Sequence, residues 1–366
     1  MTKHLAFFLP SLDGGGAERI ALMLAGQFAS MGYKCDMVIA IRKGKLLSSV
    51  PSNVRLIVLD KQKTLDSFFA LAAYLRREKP DVLMATVFSG NIAACLAYLL
   101  SGCSTRLVLG ECSLPDYDAI GASPTQTLLN KLSARLLYRC AAASIAISTG
   151  VKQSLIREKL ISPERIHVIP YPVDNPYQPH DPQLDGKIPE LIACGRLVPQ
   201  KDHATLIKAF AQVRKSCPAK LTILGEGPLL PSLQALVKEH GVEDSVTFAG
   251  FVYPPEEQMR RASIFVHTAI YEGFGVVLLE ALASGCNVVA TDCPGGVRDI
   301  LGDSQYGALV PVGDVAAISE AVISVLNGTR SFPSPEAHLR SFSLEHIADR
   351  YLPVLLPGQR QSMGET

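Results

Sequence analysis

The chain opens on a short apolar run, HLAFFLP, followed by GGGAERIALMLAGQFASMG, which ends at Gly32, and by a second apolar run, YKCDMVIAI. Short apolar runs bounded by turn residues read as buried strands, and the longer stretch between them as a helix, so the first forty residues predict a βαβ unit. The alternation continues through VRLIVLD, DSFFALAAYLRREK, DVLMATV, the stretch after Asn91, RLVLGE and ASIAIS. Repeated strand–helix alternation of this kind makes a parallel sheet wrapped by helices.

Prolines stand at positions 170, 172, 176, 179, 182 and 189, a density that neither a helix interior nor a central strand tolerates, so residues 171–189 are expected to link two domains. Beyond them the alternation resumes with ELIACGRL, HATLIKAFAQVRKSC, KLTILGEGP, SLQALVKEHG, SVTFAGF, SIFVHTA, VVLLEALASG, NVVATD, GALVPV and AAISEAVISVLNG. The expected fold class is therefore α/β, with two doubly wound Rossmann-like domains at residues 1–170 and 190–340. Within 341–356 a last helix is expected to cross back to the first domain, and 357–366 read as a tail. Val82 to Thr105 carries no charge over 24 positions, long enough to span a bilayer. Ser89-Gly90-Asn91 divides it, so it is expected to be a buried strand followed by a buried helix.

Composition agrees with a large interior: 48% of residues are apolar and 19% charged. A net charge of +1 supplies no field that would hold nucleic acid, so none is expected as a partner. The nine cysteines are odd in number and lack CxxC spacing, and read as small buried residues of a reducing compartment. Leu5 to Leu9 is too short for a secretory apolar segment, and a cytoplasmic location is expected.

Two glycine loops carry candidate chemistry. Gly14, Gly15 and Gly16 follow the first strand, but Arg19 stands where a dinucleotide fingerprint needs its third glycine, and no Walker loop occurs. What remains is either a tight turn or a helix N-terminus whose backbone N–H groups meet a phosphate or an acceptor. In the second half Glu272-Gly273-Phe274-Gly275 opens an apolar helix bearing Glu280. If helical throughout, eight residues at 1.5 Å each separate the two glutamates by roughly 12 Å, about the reach from the ribose to the sugar of a nucleotide-sugar. A diphosphate would sit on the helix N-terminus between them, unless the segment is an ordinary helix with one buried glutamate. Arg196 and Lys201 follow a strand end, where two cations either stabilise a departing diphosphate or stand solvated in a loop.

In order, Gly195-Arg196 and Lys201-Asp202, Gly225-Glu226-Gly227-Pro228, Glu272 to Glu280 and Pro294-Gly295-Gly296 resemble the family 4 retaining glycosyltransferases of GT-B fold over about 110 residues. Gly14-Gly15-Gly16-Ala17-Glu18 resembles the GGAE loop of that family's bacterial cell-surface and lipid-linked-oligosaccharide members. The resemblance implies two domains facing a central cleft, which close to exclude water. It implies that Arg196 and Lys201 bind the donor diphosphate, that Glu280 accepts the ribose hydroxyls, and that Glu272, Gly273, Phe274 and Gly275 contact the donor sugar and phosphate. The base would lie against the loop of Gly250, Phe251 and Val252, and Gly225 would be a further donor-binding residue. No metal or other cofactor is implied, and the scattered histidines form no HExxH or HxxxH motif. Where several relatives place a histidine after a glutamate in the first domain, this chain has Glu111-Cys112, which leaves Glu111 as a partial replacement and Cys112 as packing or pocket lining.

The resemblance thus implies a glycosyltransferase moving a hexose or N-acetylhexosamine from a nucleotide-sugar, most simply a UDP-sugar, to a glycan or polyprenyl-linked glycan. A UDP-sugar epimerase or hydrolase, and a non-catalytic nucleotide-sugar-binding protein, share the fold. In TLLNKLSARLLYRC, Leu128, Leu129, Leu132, Leu136 and Leu137 lie among Lys131, Arg135 and Arg139, spaced by four. That pattern suits either a helix resting on the inner face of a membrane or one packed on the sheet with a basic edge in water.

Overall fold

A computed structural model describes residues 2–13, 15–117, 123–173, 177–179 and 188–358. It divides into two compact units, Met1–Pro172 with Phe342–Thr366, and Val173–Ser341. Much of the expected linker, and Gly14, lie outside the described residues.

The first unit is a seven-stranded parallel sheet of β1 (His4–Leu9), β2 (Lys34–Ile39), β3 (Arg55–Val58), β4 (Val82–Thr86), β5 (Arg106–Glu111), β6 (Ala143–Ala146) and β7 (Ile166–Val168). Their order is β3-β2-β1-β4-β5-β6-β7. β1 and β4 are buried along their whole length, as strands covered on both faces must be. The uncharged run Val82 to Thr105 contains β4 and the helix at Phe88–Ser101, and no helix among the described residues is long and apolar enough to cross a membrane. In chain order the helices are α1 (Gly16–Ser30), α2 (Phe68–Glu78), α3 (Phe88–Ser101), α4 (Pro124–Leu137) and α5 (Thr149–Arg157). α5 has no counterpart in the pattern reading; Ser148 caps it, accepting from the Val151 N–H at 3.1 Å.

The second unit is a six-stranded parallel sheet of β8 (Glu190–Cys194), β9 (Lys220–Leu224), β10 (Val246–Gly250), β11 (Ile264–His267), β12 (Asn287–Thr291) and β13 (Ala308–Val310), ordered β10-β9-β8-β11-β12-β13. Its helices are α6 (His203–Ser216), α7 (Leu230–Glu239), α8 (Glu256–Arg260), α9 (Val276–Ala283), α10 (Val297–Leu301), α11 (Val315–Leu326) and α12 (Glu336–Arg340). The core on one face packs Phe210, Ile207 and Val213 of α6 with Ile318 and Val322 of α11 over Leu191, Ile223 and Val289 of the strands. The last helix, α13 (Leu344–Leu355), belongs to the first unit, where Arg350 donates to the Val168 carbonyl at 2.7 Å and the Val354 carbonyl accepts from Arg106 at 2.9 Å.

Each sheet reverses its winding once, between β1 and β4 in the first unit and between β8 and β11 in the second. Loops leaving the carboxyl ends of such a strand pair diverge to opposite faces and leave a crevice, the place where open α/β sheets take their ligands.

Candidate active site

At the β8/β11 reversal the loops after four strands interlock. The Ile270 N–H donates to the Gln200 carbonyl at 2.8 Å, and the Gln200 side chain donates to the Tyr271 carbonyl at 3.0 Å. The Thr268 hydroxyl lies 3.0 Å from the carbonyls of both Lys201 and Asp202. Asp202 caps α6 by accepting from the Thr205 N–H at 3.2 Å, which fixes the residue next to Lys201. On the flanks the backbones come too close for side chains. A Cβ on Gly225, at φ +141°, would overlap the Gly195 carbonyl, and one on Gly295, at φ +130°, would overlap that of Glu272. The motif glycines therefore hold loop against loop.

The zipper brings together two residues 71 positions apart: Lys201 Nζ lies 2.5 Å from Glu272 Oε2, with side chains only 13% and 16% exposed. Burial alone would raise the Glu272 pKa, but Lys201 and His267 outweigh it and hold the carboxyl down at about 2. Glu280 is buried on α9, whose N-terminus is capped by Gly275. Glu280 and Lys201 both border Cys194 at the end of β8, where burial and then the Glu280 charge push the thiol up to about 12. Phe274 is buried against Gly296, and Gly273 lies in the loop ahead of α9. The helix begins only at Val276, so the estimate of roughly 12 Å between the two glutamates, which assumed continuous helix from Glu272, does not hold. Arg196 lies exposed in the loop that follows β8. Phe251 is exposed and Val252 half-buried in the loop after β10, and the Gly250 carbonyl accepts from the Gly225 N–H at 2.7 Å, so this loop adjoins the β9 loop.

Sequence reasoning missed Gln200, Thr268 and His267. The last is buried at the end of β11 with Nε2 3.6 Å from Glu272 Oε2. The position of His267 at a strand end was the only signal available. Among the described residues no group of three or more His, Cys, Asp and Glu is placed to hold a metal ion.

In the first unit the Glu18 carboxylate folds back over Gly15, so the N-terminus of α1 carries its own acid, and Gly16 is open above it. Glu111, at the end of β5, is buried and accepts from the Asn91 amide at 2.8 Å, with Tyr138 alongside. Its carboxylate is thus engaged in a buried network with two core residues. Cys112 borders the buried Tyr171 hydroxyl. The cationic helix also differs from its pattern. α4 ends at Leu137, so Arg139 lies in the following turn, while Lys131 Nζ lies 2.8 Å from Glu158 Oε1 and Arg135 donates to the Glu158 carbonyl at 2.9 Å. With the cations drawn to Glu158, the leucines face outward: Leu128, Leu129, Leu132 and Leu136 are 52–67% exposed.

Two parallel doubly wound units of this kind are the GT-B architecture of glycosyltransferases. The lipopolysaccharide outer core galactosyltransferase WaaB superposes with a TM-score of 0.78 at 19% identity, covering 96% of this chain and 99% of that one. The Anabaena HepE protein, solved in complex with UDP, gives 0.80 at 20% identity, covering 97% and 99%. The glycosyltransferase family 4 model matches residues 14–175 and the glycosyl transferases group 1 model residues 175–337, and the chain belongs to the family 4 glycosyltransferases. A Campylobacter jejuni relative, N-acetylgalactosamine-N,N'-diacetylbacillosaminyl-diphospho-undecaprenol 4-alpha-N-acetylgalactosaminyltransferase, is 29% identical over 88% of this chain and 90% of its own length. The Escherichia coli lipopolysaccharide 1,6-galactosyltransferase is 25% identical over 95% and 94%. This chain is a glycosyltransferase.

Proposed function

We propose that the protein transfers a hexose or N-acetylhexosamine from a nucleotide-sugar, most simply a UDP-sugar, to a polyprenyl-linked glycan, with retention at the anomeric carbon. The observation that carries this reading is the buried Lys201–Glu272 pair at the β8/β11 switch point, with Glu280 on the helix that starts beside it. Lys201, with Arg196 and the α9 N-terminus, meets the charge that builds on the leaving diphosphate without a metal. Glu280 takes the ribose hydroxyls, the Gly225, Phe251 and Val252 loops border the base, and the acceptor hydroxyl attacks from the face that the diphosphate leaves. Gly15, Gly16 and Cys112 lie on the acceptor side.

Thermal unfolding with UDP, GDP and ADP, in EDTA, tests the donor site. At 100 times its dissociation constant the bound nucleotide adds about 2.7 kcal/mol, a rise of roughly 5–10 °C for units of this size. The rise is expected with UDP and expected to vanish in Glu280→Ala; no rise with any nucleotide contradicts the donor reading.

The acceptor's lipid puts the reaction at a membrane surface, and the outward leucines of α4 supply a contact, with Leu65 in the turn before α2 and Phe69 in its first turn 48% and 65% exposed. The diphospho-undecaprenol in the relative's name supports the same setting. Leu128→Gln, Leu132→Gln and Leu136→Gln together are expected to cut co-sedimentation with phosphatidylglycerol vesicles by more than about tenfold. Unchanged co-sedimentation rejects the contact.

A further inference from the structure

His267 and His203 stand beside the Lys201–Glu272 pair; His203 borders the Gly195 and Arg196 backbone, and the nearest group to the His267 ring is the Glu272 carboxylate, beyond normal hydrogen-bond length. Both are buried, 4% and 5% exposed, and neither nitrogen of the His267 ring makes a hydrogen bond. An unsatisfied buried polar group costs about 1–3 kcal/mol, so the His267 ring calls for a state in which its partner comes closer. His267 Nε2 lies 3.6 Å from Glu272 Oε2, the oxygen that Lys201 Nζ already holds at 2.5 Å. A closing of under about 1 Å makes that gap a hydrogen bond.

One lysine cannot neutralise both Glu272 and an arriving diphosphate. We propose that His267 is a positioning residue that takes over Glu272 when Lys201 turns to the donor diphosphate. The proposal rests on the donor reading above and deepens it. Without His267 the movement of Lys201 would strand a largely buried carboxylate, whose repulsion would work against the incoming phosphates. With it, the ring donates from Nε2 to Oε2, and Glu272 stays fixed beside the sugar.

The exchange has a proton signature. The groups facing His267 are Lys201, Glu272 and His203, with the Cys293 thiol beside Glu272. In the free protein burial, and then the Lys201 charge against the pull of Glu272, keep the ring neutral. Transfer of Lys201 to the diphosphate removes the opposing cation and leaves the carboxylate, so the imidazole takes a proton from solvent and becomes the imidazolium partner of Glu272.

The test is calorimetric titration at pH 7 in two buffers of different ionisation enthalpy, with UDP-glucose, UDP-N-acetylgalactosamine and GDP-mannose. Their diphosphates are diesters that do not titrate near neutrality, so any proton counted belongs to the protein. Wild type is expected to take up close to about one proton per nucleotide-sugar bound. His267→Gln, which keeps a donor but cannot be charged, is expected to bind with no uptake, and His267→Leu to bind about ten to a hundredfold more weakly. Binding with the same uptake in His267→Gln overturns the proposal and leaves the donor reading intact. Uptake lost in His203→Gln instead assigns the proton to His203 and likewise overturns it. Failure of wild type to bind any of the three overturns the donor reading, and this proposal with it.

Discussion

Replacing Lys201 with Met is expected to lower turnover by about 10²–10³, the loss seen when one preorganised group facing developing charge is removed from a transition state. The larger share should fall on kcat, because the diphosphate gains charge only as the sugar departs. The same substitution strands Glu272, whose carboxyl is held at about 2 chiefly against burial by Lys201. Breaking a buried ion pair by deleting one partner destabilises by about 3–5 kcal/mol, so lost activity alone would not distinguish catalysis from misfolding. The double variant Lys201→Met, Glu272→Gln separates them. It removes the stranded charge, and its melting temperature is expected to return towards wild type while turnover stays low. A double variant that regains turnover, or a single variant that keeps it, contradicts the role assigned to Lys201.

How much of this was legible in the sequence follows from what periodicity encodes. A run such as HLAFFL states that both faces of a strand are buried, and GGGAERIALMLAGQFAS that one face of a helix is, so the alternation and the layer architecture could be read directly. α5 escaped because TGVKQSLIR buries only Val151, Ser154 and Leu155 and its pattern is short and polar. Motif spacing located Glu272, Glu280 and Lys201, but not the ion pair between two of them, since residues 71 apart meet only once strand order places β11 beside β8. The same limit hid His267, Thr268 and Gln200, which have no spacing signature and matter through what the neighbouring loop presents. On α4 the pattern of leucines and cations could not say which side faces water: Lys131 and Arg135 turn to Glu158, a partner from the end of α5, and that leaves the leucines outside.

Asp36→Ala is expected to lower stability by about 3–5 kcal/mol, a fall of roughly 10 °C in the melting temperature of the first unit, without touching the donor site. Asp36 is fully buried on β2, where it takes both Arg55 Nε and Nη2 at 2.8 and 2.6 Å, the Tyr74 hydroxyl at 2.6 Å and His4 Nε2 at 2.9 Å. Those donors come from β1, β3 and α2, so one carboxylate joins three elements at the amino end of the sheet, opposite the edge where the loops carry chemistry. Burial alone would raise its pKa, but the hydrogen bonds from His4, Arg55 and Tyr74 together carry it well below the usual carboxylate range. A carboxyl depressed on folding contributes stability that is complete above its unfolded value, near about 3.9, and is lost as pH falls towards its folded value. The difference between wild type and Asp36→Asn should therefore be constant from neutral pH down to about pH 5 and shrink below it. Chemical denaturation at neutral pH and at pH 3 checks this. An Asn variant as stable as wild type at neutral pH would show that the donors, not the charge, hold the three elements together.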